Sequence, residues 1–240
     1  MLAIETIKLT KKFKDKIAVN EIDLQINEGE LFALLGTNGA GKTTTIKMLS
    51  GLILPTSGDI IIENMDIKKD IFKIKEILNV SPQETAIAPN LTVKENLEFM
   101  AGVYQIKNKD SKINELIKQF KLEEILNKKA KTLSGGWQRK VSIAISLIND
   151  PKILFLDEPT LGLDVIARKE LWKIINQLKG KITIILTTHY MEEAESLSDR
   201  IGIISNGILV DVGTAKELIK KTKTKNFEDA FVNIATGGEL

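Results

Sequence analysis

The chain has no cysteine, which excludes disulfides, a thiol nucleophile and thiolate metal sites. It has no excess charge of either sign: 34 lysines and arginines against 32 acidic residues leave a net +2. That balance gives no argument for nucleic acid or an acidic membrane surface as a partner. No run approaches the roughly 20 apolar residues of a membrane span. Met1-Leu2-Ala3-Ile4-Glu5 does not begin a signal peptide. The expectation is an intracellular protein whose membrane role, if it has one, comes through a partner. Arginine is confined to Arg139, Arg168 and Arg200, and histidine to His189. No internal repeat is present. What remains is ordinary for a globular protein, 43% hydrophobic and 28% charged over 240 residues. That is enough for one domain with a substantial core and room for a subdomain.

Residues 36–43, Gly-Thr-Asn-Gly-Ala-Gly-Lys-Thr, read G-x-x-x-x-G-K-[ST], the phosphate-binding loop pattern. An apolar run at 31–35 precedes it as a buried strand and a helical segment at 42–49 follows, the context the motif requires. Glycines let backbone N–H groups turn inward around phosphate oxygens, and the following helix dipole favours the same anion. Lys42 then reaches the terminal phosphates and the Thr43 hydroxyl ligates magnesium.

Alternation over 2–9 and 22–26 predicts half-buried strands, with a turn at 27–30. A breaker-rich loop at 54–58 leads to a strand at 59–62, a turn at 63–66, a helix at 72–78 and a strand ending at Val80. From about 91 the pattern is helix after helix. Thr92 to Glu95 is a capping box. Ile113, Leu116, Ile117 and Phe120 have helical spacing. A third helix spans about 135–147. Strand pattern resumes at 153–156. A helix over 164–178 ends near Gly180, a strand fills 182–186, and a hairpin turns at Asn206-Gly207. Thr214 and Glu217 cap a last helix. A lysine-rich link at 220–225 then leads to a short tail, in which Phe227, Phe231 and Ile234 could alternatively dock a terminal helix.

Four apolar residues at 153–156 run into Asp157 and Glu158. Beside a phosphate loop this reads as the second half of a nucleotide triphosphatase site. Asp157 holds the magnesium water shell, and Glu158 orients and deprotonates an attacking water. Ser134, Gly135 and Gly136 stand at a helix N-terminus and form either a second anion cup or a plain cap. His189 follows the strand at 182–188, at the kind of strand end where ligands of α/β sheets gather, and has no partner pattern for a metal.

This ordered set resembles the ATP-binding subunit of an ABC transporter over nearly the whole chain. Residues 36–43 resemble its Walker A loop, Gln83 its Q-loop glutamine and residues 133–136 its LSGG signature. Residues 153–158 resemble Walker B with the catalytic glutamate, 162–164 the D-loop and His189 the switch histidine. Phe13 falls where the family stacks an aromatic on adenine. The resemblance implies an α/β fold: a P-loop NTPase core with an N-terminal antiparallel β-subdomain and an inserted helical subdomain. It implies an ATP-binding domain over 1–220, with the helical part at about 84–150, and a linker and tail at 221–240. The implied catalytic residues are Glu158, His189, Lys42 and Gln83. ATP would be bound by Phe13, Gly36, Asn38, Gly39, Ala40, Gly41, Lys42, Thr43 and Thr44, together with Ser134, Gly135, Gly136 and Asp164. Mg2+ would be held by Thr43, Gln83 and Asp157.

The implied mechanism is an ATP sandwich. Two subunits close head to tail, each nucleotide lying between one subunit's phosphate loop and the other's Ser134 and Gly136. The implied partners are a membrane-spanning permease, which places the protein on the inner face of the membrane, and a second ATP-binding subunit, preferably a second copy. Residues 227–231 are similar to a segment of drug-resistance and sodium-export ATPases, which implies export. DNA-acting and ribosome-acting ABC ATPases carry coiled-coil insertions or paired domains that this sequence lacks, and a GTPase would need Asn-Lys-x-Asp where 127–130 ends in Ala130. Three positions depart from the family pattern: Trp137 for the usual Gln, Leu161 for a small or polar residue, and Asn64-Met65 for a turn glycine. Trp137 reads as an anchor in the closing interface, or as a side chain folded back onto its own helical unit.

Overall fold

The computed structural model describes residues 1–238. Its first two strands, β1 (Leu2–Phe13) and β2 (Lys16–Asn27), form an antiparallel hairpin turned at Lys14, which takes φ 49°. β3 (Leu31–Leu35) is buried at every position, so it must be covered on both faces. The phosphate-loop sequence follows it and opens α1 (Lys42–Leu49). β4 (Ser57–Ile62) then pairs with the free side of β1. Residues 63–66 hold more than a turn. Glu63 and Asn64 both take left-handed φ, 48° and 62°, and fold β5 (Met65–Asp66) back onto β4. Asn64 tolerates that conformation where a glycine was the expected residue. The four strands make one antiparallel sheet in the order β2-β1-β4-β5.

α2 (Ile71–Ile77) stops one residue short of Leu78, which begins β6 (Leu78–Ser81). Three helices follow before the next strand: α3 (Val93–Val103), α4 (Lys109–Phe120) and α5 (Gly135–Ser146). The Thr92/Glu95 box closes reciprocally at the start of α3, satisfying two backbone donors. The apolar stripe of α4, Ile113, Leu116, Ile117 and Phe120, buries with Leu97 of α3 and Val141 of α5. The same cluster takes in the next strand, β7 (Ile153–Asp157), through Leu154 and Leu156. The helical unit is therefore seated on one face of the second sheet.

α6 (Val165–Leu178), β8 (Thr183–Thr188) and α7 (Met191–Leu197) lead to the hairpin of β9 (Arg200–Ser205) and β10 (Ile208–Gly213). That hairpin turns at Asn206 (φ 50°) and Gly207 (φ 80°), the left-handed pair its dipeptide favours. The second sheet runs β10-β9-β3-β8-β7-β6, parallel from β9 to β6, with β10 antiparallel at the edge. Because β3, β6, β7 and β8 are parallel, the segments after them (36–43, 82–83, 158 and 189) all emerge on one edge, where an open α/β sheet binds ligands.

The C-terminal region differs from a linker and tail. α8 (Ala215–Thr222) continues through Lys220 and Lys221. α9 (Phe227–Thr236) packs Phe227, Phe231 and Ile234 against Ala33, Leu35, Ile201 and Ile203. Glu239 and Leu240, the end of the segment expected at 221–240, lie outside the described residues.

Candidate functional site

The phosphate loop is shaped by close approach. A Cβ on Gly36 would sit 2.3 Å from the carbonyl oxygen of Ile204, and one on Gly41 (φ 109°) 2.6 Å from that of Ala18. Only glycine fits both places. α1 begins directly after Gly41, with no side-chain cap and no acidic residue in its first turn, which leaves its N-terminal donors uncapped for an anion. Lys42 is buried. Its ammonium donates to the carbonyls of Gly36 (2.8 Å) and Thr37 (3.1 Å) and stands 3.3 Å from Glu158 Oε1.

Asp157 ends β7 with its Oδ1 accepting from Thr43 Oγ1 (3.2 Å) and from the Thr187 hydroxyl. Glu158 follows in the left-handed region, φ 46°. Its amide bonds both the carbonyl (3.1 Å) and the hydroxyl (3.0 Å) of Thr187. Such a backbone costs about 1–3 kcal/mol. The turn brings the Glu158 carboxylate between Lys42 and His189, whose Nδ1 lies 3.3 Å from Oε2. That contact lacks hydrogen-bond alignment, and Nδ1 is buried with no hydrogen-bond partner among the described residues. The ring of Tyr190 packs beside the imidazole, with centroids 4.1 Å apart. Among the described residues no three His, Cys, Asp or Glu side chains cluster as a metal cage. One carboxylate, one hydroxyl and the Gln83 amide fit instead a hard cation that takes the rest of its oxygens from phosphate and water.

Lys42, Thr43, Glu158 and His189 share one open cleft of about 540 Å³ with Phe13, Asn38, Gly39, Thr44 and Gln83, while Asp157 is buried behind its wall and bonded to Thr43. That size suits a small-molecule ligand. Phe13 is half exposed at the end of β1 with Lys11 Nζ 5.2 Å from its ring centre, so it is not a buried strand-end residue. Gly36 and Ala40 do not reach the cleft wall. Ala40 is 3% exposed, packed within the core behind the loop. Leu161 stands on the rim. Lys16 and Ala18 of β2 also line the cleft. Neither belongs to a local motif, and each arrives only through the β1–β2 hairpin.

Ser134, Gly136 and Asp164 lie elsewhere. They line a second cavity with Trp137, Lys140 and Ile166, which shares no residue with the first. Ser134 precedes α5 but its hydroxyl makes no capping bond. A Cβ on Gly135 would meet nothing within 4 Å, whereas one on Gly136 would press on Ala167 at 3.1 Å. Asp164 caps α6, accepting from the amides of Ile166 and Ala167 at 2.9 Å each. Trp137 is partly buried against its own helical unit, with Lys140 Nζ 4.4 Å over its ring, and still borders this cavity.

Arg139 carried no signal in the sequence. It is 4% exposed and donates to the carbonyls of Pro82 (2.6 Å), Gln83 (2.7 Å) and Glu158 (3.2 Å). Burial lowers its affinity for the proton, against the opposing charges of Asp157 and Glu193. One guanidinium thus ties α5 to both loops that flank the cleft.

Comparison with known proteins gives a consistent result. A family model described as ABC transporter matches residues 19–161. The probable multidrug ABC transporter ATP-binding protein YbhF of Escherichia coli (strain K12) is 41% identical over 241 residues, covering 96% of this chain. The chain spans 41% of that relative's length. A solved ATP-binding subunit of an ABC transporter superposes with TM-score 0.87 at 27% identity, covering 97% of this chain and 99% of the other. The ATP-binding cassette MJ0796, solved as a dimer in a post-hydrolysis state bound to ADP and Pi, gives TM-score 0.79 at 27% identity over 88% of this chain and 98% of the other.

Proposed function

The chain belongs to the ABC transporter family as an ATP-binding domain, and from that premise we propose that it binds and hydrolyses Mg-ATP and drives transport through a separate membrane subunit. The observation that carries this reading is the Glu158 carboxylate held between Lys42 and His189 in the same cleft as Thr43 and Gln83.

In this reading the backbone amides of 38–43 and the Lys42 ammonium hold the phosphates, Thr44 lies on the same wall, and Phe13 covers the adenine. Thr43, Asp157 and Gln83 hold Mg2+, which would neutralise charge on the phosphate oxygens. Glu158 takes a proton from water as the water oxygen bonds the terminal phosphorus and the bond to the ADP oxygen breaks. His189, beside Glu158, donates to the terminal phosphate and stabilises its charge. Ser134, Gly135 and Gly136, with Asp164 fixing the turn beside them, receive the nucleotide of a second ATP-binding subunit, preferably a second copy of this chain. The two linings support that division, since no residue borders both cavities.

We assign the ATP-binding domain to residues 1–220, with 84–150 as its helical part and with the end of α8 and all of α9 packed on its core. Drug or sodium export is the branch we propose, supported by the multidrug description of the E. coli relative and by residues 227–231. Attachment to the inner face of the membrane would come through the permease, and among the described residues no helix is long and apolar enough to cross a membrane. Phosphate release from Mg-ATP by the purified chain tests the reading. Lys42→Ala should abolish saturable turnover; hydrolysis that is absent in the unmodified chain, or undiminished in Lys42→Ala, would refute it.

A further inference from the structure

Glu193 sits in the first turn of α7, one helical turn beyond His189, and is wholly buried. A carboxyl in that position is expensive unless it is paired. Its Oε1 accepts two hydrogen bonds, from the Thr160 hydroxyl (2.8 Å) and from Trp172 Nε1 (2.9 Å). Oε2 is buried and has no hydrogen-bond partner among the described residues. The hydroxyl of Thr188 accepts from the amide of Tyr190 and also faces the carboxyl, with its own proton left to donate. Arg168 is nearby without forming an ion pair with Glu193: its guanidinium lies over the rings of Trp172 and Tyr190 and pairs with Glu192 at 3.4 Å. Burial pushes the Glu193 carboxyl up, toward the neutral acid. A carboxyl whose one oxygen accepts from both Thr160 and Trp172 ties those two donors together by geometry.

The tie joins two pieces of the cleft. Thr160 is two residues beyond Glu158, in the turn closed by the Leu161 amide on the Glu158 carbonyl (3.2 Å) and the Leu163 amide on the Thr160 carbonyl (3.1 Å). On the other side, the Ala194 amide bonds the Tyr190 carbonyl (3.2 Å), so the turn holding Glu193 is continuous with the backbone that carries His189. We propose that Glu193 is a positioning residue for hydrolysis, which through Thr160 fixes the loop after Glu158 to the helix after His189 and so holds carboxylate and imidazole in register. The 3.3 Å contact between those two groups has no aligned hydrogen bond of its own, so its geometry depends on the elements that carry it. Misplacement of reacting groups by about 1 Å can lower a rate by roughly 100-fold.

This inference rests on the ATPase reading, and the test separates the two. Steady-state hydrolysis of Mg-ATP is measured for the full chain and for Thr160→Val, Thr160→Ser and Glu193→Gln, with melting temperatures alongside. Thr160→Val removes the hydroxyl but keeps the shape, and kcat should fall about tenfold with KM for ATP unchanged. Thr160→Ser restores the hydroxyl and should restore kcat. Glu193→Gln keeps an accepting oxygen at the place of Oε1 for both donors and should stay within about twofold of the unmodified chain. A packing role would give the reverse order, Val active and Ser impaired. Wild-type kcat in Thr160→Val, failure of Thr160→Ser to recover, or a Glu193→Gln chain as slow as Thr160→Val would each overturn the tie. An unmodified chain with no turnover would instead refute the ATPase reading.

Discussion

Glu158 is the most constrained residue of the cleft. Its left-handed backbone is held by two bonds from one amide to Thr187, and its carbonyl is held by Arg139. Strain of this kind persists only where neighbours over-determine it. Arg139 is therefore the residue whose loss should separate folding from catalysis. Arg139→Met forfeits three bonds to carbonyl oxygens but also removes a buried charge, and these effects offset. Urea unfolding should show a loss of about 1 kcal/mol, while kcat falls at least tenfold as the Gln83 loop loosens; a larger loss of stability with kcat unchanged would make Arg139 a scaffold residue only. The placing of Lys42, Thr43, Asp157 and His189 at one edge of the sheet was legible in the sequence, because each belongs to a local pattern at or just after a strand. Arg139 and Glu193 were not. Their partners lie 57 and 33 residues away, and only the packing of α5 and α7 brings them together.

Among the elements, α9 is the docked terminal helix that the sequence offered as the alternative to a linker and tail. Phe227, Ala230, Phe231 and Ile234 have helical spacing, and all are buried. The lysines before them looked like a solvated link, yet Lys220 and Lys221 complete α8 and α9 docks directly on β9 and β3. Truncating Phe227, 2% exposed in that cluster, should cost about 3–5 kcal/mol. Phe227→Ala should lower the melting temperature clearly while kcat and KM of the folded protein stay near those of the unmodified chain, because α9 contributes nothing to the cleft; an unchanged melting temperature would show that the helix is not part of the cooperative core. Caps and turns were legible where the chemistry is confined to four residues. Thr92 with Glu95, Thr214 with Glu217 and Asn206-Gly207 form as their sequences dictate. β5 was missed because two residues carry no alternation to detect.

At the scale of the whole molecule, the sheet order β10-β9-β3-β8-β7-β6 collects four loops from distant parts of the chain on one edge. No local pattern specifies that order; the ordered motifs pointed to it only through a known fold. The same architecture leaves the Ser134–Gly136 helix start facing a different cavity from the phosphate loop. In the proposed function such a molecule completes its nucleotide sites by pairing, and Trp137 borders the second cavity. The measurement that bears most directly on this is the mass of Glu158→Gln in solution, by gel filtration with light scattering, with and without Mg-ATP. The amide cannot take the proton from water, so nucleotide should bind and remain intact. The mass should rise from 26.7 kDa to twice that value when Mg-ATP is added, and only then. A variant that stays monomeric at saturating Mg-ATP while hydrolysing it at the unmodified rate would contradict both the role given to Glu158 and the paired site.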